Sequence, residues 1–169
     1  QNTFMGWISG YNNQGNYNTF YGSQSGANNT TGNNNTFLGT WSGYQATTGS
    51  GNIFIGMSAG YNNGAGTDNV FIGNSSGQNS AGATSNTAVG SMAGFNTTGT
   101  QNTLLGKNAG FLNTTGQSNL IAGFSSGYNT STGNENVFLG PWAGLTNTTG
   151  TRNVAIGSNA HVGTNLTNA

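Results

Sequence analysis

The chain has 169 residues, of which only two are basic and two acidic, and its formal net charge is zero. That balance excludes a polybasic surface for nucleic acid or anionic membrane, and the absence of cysteine excludes a disulfide framework and a thiolate metal site. With 31 glycines and 2% charged residues the composition is far from globular norms, and solubility rests on Asn, Ser, Thr and Gln.

The first element in chain order, Asn2-Thr3-Phe4-Met5-Gly6, is also the first copy of a repeat. Aligned on its Asn, the copies begin at Asn2, Asn18, Asn35, Asn52, Asn69, Asn86, Asn102, Asn119, Asn136 and Asn153, in steps of 16 or 17 residues. With that Asn as position 1, position 5 is Gly in all ten units, and position 9 is Gly in all but the last, where His161 stands. A third Gly, often after Thr-Thr, closes the unit at Gly32, Gly99, Gly116 and Gly150. The units fill residues 1–169 as a single array without a linker. Because the pattern is already running at Gln1, the stretch reads as an excerpt of a longer chain.

A helical repeat needs about 33 residues and a propeller blade about 40, whereas this period suits one turn of a β-solenoid. Each unit opens on a β-rich run bounded by Asn and Gly, no stretch has a period of 3.6, and the one proline, Pro141, follows a Gly. The expected fold class is therefore all-β: a parallel β-solenoid, or β-roll, of about ten coils. Coils spaced about 4.8 Å apart would make a rod roughly 48 Å long. No apolar run approaches the roughly 20 residues of a spanning helix, so this segment is not expected to insert in a membrane.

Stacked coils turn every position into a ladder. A repeated charge would face its own copy about 4.8 Å away, which accounts for the near absence of charge, while an Asn amide both donates and accepts along the column. The ten Asn of position 1 are thus expected to form a structural ladder. Asp68, Glu135 and Arg152 each precede a ladder Asn, and Glu135 and Arg152, in adjacent coils, are expected to pair.

Positions 3 and 4 are both apolar. Position 3 is mostly Phe, and position 4 runs Met5, Tyr21, Leu38, Ile55, Ile72, Val89, Leu105, Ala122, Leu139, Ile156. Neighbours on a strand point to opposite faces, so two dry environments are required: the coil interior and a second copy of the chain. The expected arrangement puts position 4 inside and turns Phe4, Phe20, Phe37, Phe54, Phe71 and Phe138 towards partner chains. Position 8 is always Ser or Ala and position 10 often aromatic, which reads as a second, half-exposed strand.

Chemistry-bearing constellations are sparse. His161 is the only histidine, and Asp68 and Glu135 lie four coils apart, about 19 Å along the axis. No acid–base pair or zinc ligand set can assemble within one chain, and a Ser nucleophile lacks a His partner in every unit but the last, so the expectation is no enzyme, no cofactor and no metal. Glycines recurring at the same phase serve turns, and so do the sequons at Asn96 and Asn113. Positions 6 and 7 vary and carry Trp7, Trp41, Phe124 and Trp142; these are candidate contacts to a surface ligand, or else they lean into grooves between chains.

The last unit, Asn-Val-Ala-Ile-Gly-Ser-Asn-Ala from Asn153, resembles the head repeats of trimeric autotransporter adhesins of the Yersinia-adhesin type. The other units, with NTFLG, NIFIG or NVFLG followed by AGY or SGY and TTG, resemble repeat arrays of bacterial surface fibres and phage tail fibres. The resemblance implies a left-handed β-roll assembled as a homotrimer. It also implies an extracellular location on a cell surface or virion fibre, and a structural and adhesive role. Partners would be further copies of the chain and a cell-surface glycan or protein receptor. An ice- or crystal-binding solenoid is the alternative, suggested by the Thr-rich turns.

Overall fold

The computed structural model describes residues 1–163 and 165–168. Each unit contributes one three-residue strand at positions 2 to 4. In order these are β1 (Thr3–Met5), β2 (Thr19–Tyr21), β3 (Thr36–Leu38), β4 (Ile53–Ile55), β5 (Val70–Ile72), β6 (Thr87–Val89), β7 (Thr103–Leu105), β8 (Leu120–Ala122), β9 (Val137–Leu139) and β10 (Val154–Ile156). They form one sheet in sequence order, every pairing parallel and in register, so Phe20 faces Phe37 and Phe37 faces Phe54. No helix occurs among the described residues. The chain is a parallel β-solenoid, as the period requires.

Which column fills the coil is the reverse of the expectation. Phe20, Phe37, Phe54, Phe71 and Phe138 are buried inside the coils of their own chain, and only Phe4, in the first coil, is partly open at 38%. A three-residue strand points its middle side chain one way and its two outer ones the other, so positions 2 and 4 share the outer face. Gly at position 9 makes the inward choice possible: a Cβ on Gly26, Gly43 or Gly60 would lie 2.5 Å from the ring of Phe20, Phe37 or Phe54. Into that space the rings stack, with centroids 4.7 to 5.2 Å apart from Phe4 to Phe71. Where Ala88 interrupts the column, Leu104 leans across: its Cδ1 lies 2.7 Å from where a Cβ on Gly94, in the coil of Ala88, would stand.

The second limb of the coil is not the strand that the small and aromatic positions suggested. Position 7 takes a left-handed conformation in every coil, for example Gln24 at φ 57° and Trp41 at φ 58°, and so does the Gly at position 9. Backbone bonds three residues apart then close successive turns, such as Ser25 N to Gly22 O and Asn29 N to Gly26 O. The limb still bonds to its neighbour, through Gly26 N to Ser42 O and Asn28 N to Tyr44 O. Position 8 is small because it lies inside: the buried Ser25, Ser76 and Ser126 donate their hydroxyls to the carbonyls of Phe37, Ala88 and Phe138 in the next coil.

The Asn ladder forms as expected, and its bonding is richer than a simple stack. From Asn18 to Asn153 each backbone N–H donates to the Oδ1 of the preceding ladder Asn, as in Asn52 to Asn35 at 2.9 Å. From Asn52 to Asn136 the Nδ2 also donates to that oxygen, at 3.0 to 3.2 Å. The same Nδ2 reaches the carbonyl of the turn that ends its own coil, for Asn35 that of Gly49 at 2.8 Å. One buried amide therefore closes its coil and fastens it to the neighbours. The closing bond spans 14 residues in the 17-residue coils but 13 in those of Asn2 and Asn86, which places the missing residue in that turn and keeps the strands in register.

Candidate interaction surfaces

The ionisable groups are placed as ladder logic requires. Glu135 and Arg152 pair at 3.1 Å with side chains 56% and 59% exposed, an arrangement worth at most about 1 kcal/mol in water. With Gln117, Ser118, Asn134 and Thr151 they line a shallow, open concavity. Asp68 occupies the matching position four coils earlier, and its Oδ1 fills the space beside Gly51. His161 is exposed on the last coil. Among the described residues no three His, Cys, Asp or Glu side chains gather to hold a metal ion, and no helix is long and apolar enough to cross a membrane.

The larger feature is the outer face of the sheet. Met5, Tyr21, Leu38, Val89, Leu105 and Ile156 of position 4 are exposed, and Ile55, Ile72 and Leu139 are half-buried. Position 2 adds Ile53, Leu120 and Val154 beside the threonines Thr3, Thr19 and Thr36. Ten three-residue strands give this face, its threonines included, a footprint of roughly 500 Å² at about 3.3 Å per residue and 4.8 Å per strand, the size of the largest apolar patches on monomers, which are often interaction sites. Sequence reasoning expects position 4 inside the coil and position 3 turned outwards; the structure has position 3 inside and position 4 on the outer face. A strand of only three residues puts its middle column on one face and its outer two on the other, and the position-9 glycines, which leave room for the ring, set the middle column inside.

Beyond the sheet, positions 6 and 7 form a corner. Trp7, Trp41, Phe124 and Trp142 are all exposed there, with Met57 and Met92. The Trp41 indole N–H donates to Gln24 Oε1 at 2.6 Å. Phe124 and Trp142 meet edge to face, with centroids 5.5 Å apart and planes at 85°. The opposite limb carries an aromatic ladder at position 10, where Tyr44 stacks on Tyr61 and Phe95 on Phe111 and Tyr128. The turn threonines face their own stack: Thr30, Thr98 and Thr114 donate their hydroxyls to the carbonyls of Thr47, Thr114 and Ser131.

Sequence reasoning also missed a polar column in the interior. Position 12 places Asn29, Asn63, Thr97, Asn113, Thr130 and Asn147 inside the coils, each with at least one buried polar side-chain atom that has no hydrogen-bond partner. The sequon at Asn113 is thereby enclosed, whereas Asn96 is half-buried. The recurrent Asn or Thr ahead of the third Gly was its visible trace, and it read as turn chemistry. Comparison with known protein families, with curated proteins and with solved structures finds no match to this chain.

Proposed function

We propose that the chain is a segment of an extracellular trimeric fibre, acting as a rigid rod and as a surface that binds other surfaces, and that it is not an enzyme. The observation that supports this reading is the outer sheet face: the coils are already filled by the Phe column, and a second apolar ladder remains open along the whole length of the rod. Three copies, in the manner implied by the resemblance to adhesin heads, would bury position 4 against one another about a common axis. Each large apolar side chain so covered contributes roughly 1.5 to 3 kcal/mol. A rod with almost no charge and a bonded amide ladder suits a spacer that holds its shape without a cofactor.

Sedimentation equilibrium tests the proposal. The wild-type segment should sediment as a trimer at tens of micromolar, and the Leu38→Ser, Ile55→Ser, Ile72→Ser triple variant as a folded monomer. A wild-type segment that stays folded and monomeric, or one whose assembly survives the three substitutions, overturns it.

A further inference from the structure

We infer that the corner formed by Phe124, Pro141, Trp142 and Lys107 is a binding site for a carboxylate-bearing sugar, such as a uronic or sialic acid. The inference deepens the surface-binding half of the proposed function and does not depend on the three-chain packing.

Ring orientation is the first observation. In the seven other ring contacts among the described residues the planes lie within 20° of each other, so each ring covers a face of its neighbour. Phe124 and Trp142 are turned to 85° and remain 44% and 43% exposed. An edge-to-face pair leaves at least one ring with both faces uncovered by its partner. The face of an aromatic ring carries the negative lobe of its quadrupole, and the C–H-bearing side of a pyranose presents weakly positive hydrogens that suit it. Pro141, next in sequence to Trp142 and one coil above Phe124, fixes its own φ and stiffens the ledge.

Charge is the second observation. Lys107 occupies position 6 one coil below Phe124, and the backbones are joined there by Ser125 N to Lys107 O at 2.9 Å and Trp142 N to Phe124 O at 2.9 Å. The three position-6 residues Lys107, Phe124 and Pro141 therefore follow one another at the coil spacing, about 4.8 Å, close to the length of one sugar ring. Arg152 is paired with Glu135, whereas Lys107 is exposed and makes no ion pair among the described residues. An exposed lysine on the coil next to an exposed aromatic pair selects a ring that carries an anionic group, and a carboxylate accepts the hydrogen bonds of its ammonium. Trp7 and Trp41 lack such a neighbouring cation: position 6 next to them holds Ser23 and Thr40.

Isothermal titration of the assembled protein with trigalacturonate, with 3′-sialyllactose and with neutral maltotriose tests the site. At least one acidic sugar should bind and maltotriose should not; the arm that binds identifies the source of the carboxylate. Lys107→Gln and Trp142→Ala should each weaken that binding about tenfold, the scale of one lost charge-assisted or stacking contact, and 0.5 M salt should weaken the wild type but not Lys107→Gln. Should Trp142→Ala unfold by circular dichroism, Trp142→Leu and Lys107→Gln carry the test. Binding of neither acidic sugar, equal binding of maltotriose, or wild-type affinity in the Lys107→Gln variant overturns the inference. Sedimentation of the same samples reports separately on assembly, so a monomer that binds sinks the trimer and leaves this site standing.

Discussion

Phe54 lies between Phe37 and Phe71 with ring centroids 4.8 and 5.2 Å away, over a glycine whose Cβ would stand 2.5 Å from the ring. Two residues six apart in sequence are thus one packing decision. Truncating Phe54 to Ala should cost about 3 to 5 kcal/mol, because the stacked neighbours cannot close the gap. Gly60→Ala adds a clash to a left-handed φ of 59°, with a strain cost of about 1 to 2 kcal/mol for an L residue. The double variant Phe54→Ala, Gly60→Ala should then be more stable than the sum of the single losses, by about 1 kcal/mol or more, since the new methyl enters the space the ring has left. Urea unfolding of the four proteins measures this, and strict additivity would show that the two positions are uncoupled.

At the scale of the element, the Asn column couples the start of each coil to its end and to the coil before it. Removing the Asn69 amide deprives Asn86 of the acceptor for its backbone N–H at 3.0 Å and its Nδ2 at 3.2 Å, and the Ala83 carbonyl of its donor at 2.7 Å. Each orphaned buried group costs about 1 to 3 kcal/mol, so Asn69→Ala should lose about 3 kcal/mol or more. Hydrogen exchange should quicken first at β5 and β6, and protection unchanged at those strands would refute the closure role. This ladder was legible in the sequence because one residue type recurs at one phase, and so was the Glu135–Arg152 pair. Inside and outside were not. Positions 3 and 4 are equally apolar, and the choice between them is made by Gly26, Gly43 and their equivalents, which read only as turn residues. The position-8 and position-10 alternation imitates a strand, but the left-handed residue between the strand and that limb converts it to linked turns.

Taken as a whole molecule, the chain is a one-dimensional stack in which each coil touches only its neighbours, and its stability should follow nearest-neighbour additivity. Deleting residues 52–68, one full coil, brings Phe37 against Phe71 and Asn35 against Asn69, so the Phe and Asn ladders keep their chemistry, while Tyr44 loses its stacking partner Tyr61 and comes against Gln78. The nine-coil protein should fold with unchanged circular dichroism per residue, and small-angle scattering should report a rod shorter by about 4.8 Å. Loss of folding, or a larger contraction, would mean that distant coils depend on one another. The same construction bears on how such a rod can change over generations. The coils of Asn2 and Asn86 drop a residue in the closing turn and yet leave the strand register untouched, so small slips in that turn are absorbed where they occur. Gain or loss of a complete unit through misaligned copying of a repetitive gene alters only the count. Reach thereby becomes a quantity inherited in fixed increments, adjustable without renegotiating the interior.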